Sequence, residues 1–144
     1  MEKYLYFRTV ADVDGDDGDV GSGGAAADKS SACYPVSALL GMQAATATSL
    51  KFYFRGLQNT HGDASAANAD NKSDMVLVNV TAGRVREVME AVIDKMNEPV
   101  SRDNGFIVVA DDVTTALDNS TISAEYVSSH ITSCGAIVIQ DAQV

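Results

Sequence analysis

"VTAGRVREVMEAVIDKMNEP", Val80 to Pro99, carries the pattern on which the fold turns. Val85, Val88, Met89, Val92, Ile93 and Met96 recur at i, i+3, i+4, i+7, i+8 and i+11, while Arg86, Glu87, Glu90, Asp94 and Lys95 fall elsewhere. That is the spacing of an amphipathic helix with a single apolar face. Thr81 offers a hydroxyl to cap its start and Pro99 cannot continue it, which predicts one helix over about residues 82-97. Beside apolar strands, a valine and methionine stripe at this spacing reads as core packed on a sheet.

Working outward, "MVLVNV" (Met75 to Val80) leads into the helix and "GFIVVA" (Gly105 to Ala110) follows it, with "CGAIVIQ" (Cys134 to Gln140) near the end. These are nearly continuous apolar runs of strand length, and they read as central strands. "KYLYFRTV" (Lys3 to Val10) sets Tyr4, Tyr6 and Arg8 on one face and Leu5, Phe7 and Thr9 on the other. "SLKFYFRGL" (Ser49 to Leu57) alternates Leu50, Phe52 and Phe54 with Lys51, Tyr53 and Arg55. "ACYPVSALLGM" (Ala32 to Met42) reads as one extended stretch, with Pro35 keeping it from the middle of a sheet. The order is four strands, the helix, then two more strands. It predicts an α+β fold: a mainly antiparallel β-sandwich or partly open β-barrel with the helix covering a sheet. At 144 residues the chain is read as a single domain, 1-144, able to bury roughly two-thirds of its unfolded surface.

Two long polar connections, residues 11-31 and 58-74, interrupt this plan. Their Gly, Ala, Ser, Asn and Asp content supplies little apolar surface to offset the entropy of ordering, so contacts with neighbouring subunits are expected to order them. The first contains "DVDGDDGD", Asp12 to Asp19. A calcium-binding helix-loop-helix needs acidic ligands at positions one, three and five, Gly at six and Glu at twelve. Asp12, Asp14 and Asp16 fit the first three, but Asp17 and Gly23 stand at the other two and a strand replaces the entering helix. The expectation is a solvated acidic turn, with no metal and no cofactor assigned.

The formal net charge is -10, the wrong sign for the clustered Lys and Arg that displace counterions from phosphates, so nucleic acid is not an expected partner. "MEKYLYFRTV" has no apolar run of signal length, and no stretch approaches the roughly eighteen apolar residues of a membrane span, so neither secretion by that route nor a membrane partner is expected. Cys33 and Cys134 lack C-x-x-C spacing and read as two buried free thiols rather than a redox pair, with a disulfide open only if the strands carrying them are neighbours. The triplets "NKS", "NVT" and "NST" match the glycosylation pattern by chance if the chain never enters a secretory route.

The remaining chemical signals do not frame a reaction. Asp111 and Asp112 sit at a strand end, where adjacent side chains point opposite ways and serve turns or caps. His61 lies in the second long loop. His130, with Ser128, Ser129 and Cys134 nearby, could be imagined as a base and nucleophile, but no G-x-S-x-G elbow frames them. No catalytic residue is assigned, and the chain is expected not to be an enzyme.

The blocks "MEKYLYFRTVAD", "YPVSALLGM", "TSLKFYF", "MVLVNVTAGRVREVMEAVIDKMN", "GFIVVADDVTT" and "SSHITSCGAIVI" span nearly the whole chain. In succession they resemble small hypothetical or virion structural proteins encoded by marine bacteriophages, including cyanophages. The Asp/Gly loop after the first strand is longer here than in those proteins, and no set of functional residues carries over. The resemblance implies a virion location and a structural role, foremost a capsid decoration or cement protein that binds the outer surface of a phage head as a homo-oligomer. Its partners would be the major capsid protein or other virion proteins. The alternatives are a tail or neck structural protein and, in other classes, a calcium-dependent binding module or a small hydrolase.

Overall fold

The computed structural model describes residues 2-9, 31-56, 73-99, 104-114, 118 and 120-138. The acidic run Asp12–Asp19, His61 and nearly all of both long connections lie outside the described residues. Ser31 and Asp74, read as loop ends, are instead the first residues of strands.

The chain forms β1 (Tyr4–Arg8), β2 (Ser31–Pro35), a 3-10 turn (Val36–Ala38), β3 (Leu39–Thr46), β4 (Ser49–Phe54), β5 (Asp74–Val80), α1 (Val85–Asn97), β6 (Phe106–Asp111), β7 (Glu125–Tyr126) and β8 (Ile131–Val138). They make two four-stranded sheets, ordered β2-β1-β6-β7 and β3-β4-β5-β8, so the expected α+β sandwich is the fold and a closed barrel is not. Every neighbouring pair is antiparallel except β1 with β6, which run parallel. No helix among the described residues is long and apolar enough to cross a membrane.

The alternations read from sequence decide which faces meet. Leu5 and Phe7 of β1 and Leu50, Phe52 and Phe54 of β4 are fully buried. Phe7 contacts Phe52 and Phe54 edge-on across the two sheets, at 5.1 and 5.8 Å between ring centroids. Tyr34 of β2 stacks flat on Phe54 at 4.0 Å. α1 adds Val88 and Val92 to the same cluster and lies against β6; burying each valine contributes about 1.5–3 kcal/mol. Val85, Met89 and Met96 pack at its margin, whereas Ile93, expected in the core, is 44 % exposed.

Three expectations are corrected. Ala32 to Met42 is two strands in different sheets, because Pro35 has no N–H to extend the ladder and the chain turns through Val36–Ala38. Val36 N–H and Ser37 N–H are satisfied at this corner by Lys3 O and Glu2 Oε1. The helix starts at Val85 with Arg84 as N-cap, so Thr81 does not cap it. Thr81 O instead accepts from Arg84 N–H in a turn where Gly83 has φ 77°, a left-handed value that would break a helix there. Its end is as expected: Glu98, before Pro99, is extended, and the Lys3 ammonium donates to Lys95 O at the helix C-terminus. The last apolar run begins at Ile131 and is a sheet edge, not a centre.

Candidate functional site

β6 ends where the two sheets come closest to joining. Asp111 and Asp112 do point to separate partners. Arg8 lies opposite Asp111 in the parallel register and donates twice to its carboxylate, at 2.8 and 2.9 Å. Asp112 turns the other way: both its oxygens accept from Cys134 N–H, at 2.9 and 3.0 Å, and Oδ1 accepts from Tyr126 Oη at 2.6 Å. Thr9 Oγ1 donates to Cys134 O at 3.3 Å. The N–H and C=O of Cys134 on β8 are thus satisfied by side chains of the opposite sheet, where a further strand would otherwise be needed.

Burial, followed by the charges of Asp112 and Asp111, pushes the Cys134 thiol up to about 12. It is a thiol, not a nucleophilic thiolate, near neutrality. Burial and then the bond to Asp112 push the Tyr126 hydroxyl well above its ordinary value. Both cysteines are free, but Cys33 is exposed on β2 where a buried thiol was expected, because the inward positions of that strand fall to Ala32 and Tyr34. Ser128 Oγ accepts from the His130 backbone N–H, and among the described residues no hydrogen bond joins the His130 imidazole to Ser128, Ser129 or Cys134. His130 instead lies within electrostatic reach of Glu87 at the first turn of α1. That carboxyl is held below its ordinary range by its own backbone N–H and by Arg84, with His130 a smaller contributor.

A second polar pair has no counterpart in the sequence reading. Tyr34 Oη donates to Asp74 Oδ2 at 2.7 Å, and both residues are fully buried between the sheets. Burial first, then the bond to Asp74 and its charge, push the Tyr34 hydroxyl far up. No local signal marks such pairs, since their partners are brought together by inter-sheet packing.

Two surface features adjoin the start of β6 among the described residues. A cleft of about 260 Å³ opens between Lys95, the start of β6 (Phe106 to Val108) and the strip Glu125 to Val127, smaller than most small-molecule sites. Beside it, the outer face of the first sheet carries Tyr4, 43 % exposed, and Phe106, 44 % exposed. Tyr6 packs on Phe106 at 5.0 Å between centroids. Among the described residues no group of three His, Cys, Asp or Glu side chains could hold a metal ion. Comparison with protein-family models, with characterised proteins and with solved structures found no match.

Proposed function

We propose that the protein is a bacteriophage virion structural component without catalytic activity, foremost a decoration or cement protein on the outer surface of the head. The observation that carries this reading is the aromatic outer face of the first sheet. Tyr4 and Phe106 leave two large rings partly in water on the side of the sheet away from the core, with Tyr6 packed against Phe106. Aromatic side chains concentrated on one face are the composition of an interface centre. Among the described residues, three of the groups that could have served chemistry are engaged in holding the fold or are unreactive: Asp112 joins the sheets, Asp111 holds Arg8, and the Cys134 thiol is protonated. The net charge of -10 supports the same reading, because a negative outer coat keeps particles from aggregating.

Mass spectrometry of purified particles from the encoding phage tests the proposal, with the chain expected at a copy number comparable to that of the capsid subunits. A copy number matching a tail or neck ring would move it to that part of the particle, and absence from the particle would overturn the reading. Tyr4→Ser and Phe106→Ser, both at exposed positions, are expected to fold normally and to lose attachment to heads.

A further inference from the structure

Among the described residues the two sheets have four edges, and they are not alike. β7 is only two residues long. β2 ends at Pro35. On β8, the N–H and C=O of Cys134 are engaged by Asp112 and Thr9. β3 is eight residues long and pairs with β4 on one side; along its other side no partner stands among the described residues. We infer that a second copy of this chain occupies that edge, pairing β3 with β3 antiparallel about a two-fold axis and extending the β3-β4-β5-β8 sheet across the pair.

Charge favours a second copy as the occupant. Two copies of a chain of net charge -10 repel one another overall. From Ser30 to Leu50, however, the sequence contains no Asp, Glu, Lys, Arg or His, and the charged residues that follow, Lys51 and Arg55, are cationic. Approach through β3 therefore sets neutral strand against neutral strand, with no carboxylate in either. An antiparallel pair about a two-fold is also self-complementary, since each donor of one strand meets an acceptor of the same strand in the partner.

Gly41 gives an independent indication. Gly83 and Gly105 have left-handed φ values, and a Cβ on Gly135 would come within 3.0 Å of Leu77 O, so each of these has a reason within the chain to be glycine. A Cβ on Gly41 would meet nothing within 4 Å. Gly41 adjoins the irregularity at Leu39/Gly41, which is one reason for a glycine there, and its open side also leaves room for close approach by another backbone. Next to it Leu40 is 60 % exposed. Natural edges are usually guarded by Lys, Pro or bulges. β3 has neither Lys nor Pro, and its irregularities, between Leu39 and Gly41 and between Ala44 and Thr46, leave Gly41 to Ala44 in regular register. That short segment is suited to a dimer that forms and dissociates with concentration.

The inference concerns the isolated protein and does not depend on the virion reading. Sedimentation velocity over roughly a hundredfold range of concentration should show monomer passing to dimer, with Gly41 to Ala44 gaining amide-exchange protection at the high end. Leu40→Lys and Gly41→Lys, at an exposed and an open position, should each weaken association at least about tenfold while retaining the wild-type circular dichroism and Tm. Each also makes the net charge less negative, which by itself would favour association. Ile93→Lys, on the exposed flank of α1, should change nothing. A chain monomeric across the whole range, dimerisation of both edge variants like wild type, or a dimer whose protection falls on Tyr4, Tyr6 and Phe106 with β3 unchanged would each overturn the inference.

Discussion

Tyr34→Phe removes one buried hydroxyl and leaves the ring stacked on Phe54, so it isolates the Tyr34–Asp74 bond from the packing around it. Loss of a hydrogen bond to a carboxylate should cost about 1.5–3 kcal/mol, without the further 3–5 kcal/mol or so of a ring-sized cavity. The pH dependence gives a second signature. The folded-state pKa of Tyr34 is raised above the ordinary value of 10.0, so its contribution is fully present below that value and is lost as pH rises beyond it, where only the unfolded chain ionises. The loss is about 1.4 kcal/mol per pH unit for one proton. Wild type carries this alkaline decline and Tyr34→Phe does not, while contributions from the other tyrosines cancel in the difference. Urea unfolding at neutral pH should therefore place the variant about 1.5–3 kcal/mol below wild type at an unchanged m value, and the gap should close within about two pH units above 10. A neutral-pH difference under about 0.5 kcal/mol, or a gap that persists undiminished into strong alkali, would refute the claim that this hydroxyl is buried against Asp74.

Alkylation of the native protein should modify Cys33, which is exposed, well before Cys134, which is buried and pushed up to about 12; equal rates would contradict the closed contact between β6 and β8. Gly135→Ala should lower stability by about 1–3 kcal/mol, because its Cβ would sit 3.0 Å from the backbone oxygen of Leu77, and an unchanged denaturation midpoint would refute that contact. Millimolar calcium should leave Tm nearly unchanged if Asp12, Asp14 and Asp16 form only a solvated turn, whereas a rise of several degrees abolished by changing all three to Asn would show a real site.

The parts of the fold legible in the sequence are those where one residue's environment follows from its neighbours in the chain. The alternation of Leu50, Phe52 and Phe54 names the buried face of β4 because successive side chains must point opposite ways. The stripe from Val85 to Met96 names the helix for the equivalent reason at helical period. Where the backbone departs from its period, the reading fails. Ile131, Cys134 and Ile137 of β8 all turn inward at intervals of three, since bulges opposite β5 reset the alternation, and in "ITSCGAIVI" only Gly135 hints at one of them. The corner at Pro35 fails differently: the proline was visible, but whether it merely ends a ladder or sends the chain to the other sheet depends on Lys3 O and Glu2 Oε1 being there to receive the freed N–H groups.

The polar groups divide along the same line. That Asp111 and Asp112 point apart follows from strand geometry and could be read directly. That one meets Arg8 and the other meets Cys134 N–H and Tyr126 could not be read, because the first partnership needs β1 and β6 to run parallel and the second needs β8 to lie against the other sheet. The Ser128, His130 and Cys134 neighbourhood shows the reverse case, since nearness in sequence suggested a joint site whereas among the described residues no hydrogen bond joins the His130 ring to the other two. Cys134 turns inward onto the Asp112 seam, whereas His130 sits at the strand's entrance, its C=O accepting from Thr81 N–H and the residue within electrostatic reach of Glu87. A chemical cluster is read safely from sequence only when one regular element carries all its members. The residues of β3, Leu39–Thr46, do lie on one regular element, so the absence of charge along that strand follows from the sequence alone, while its place at a sheet edge comes from the fold.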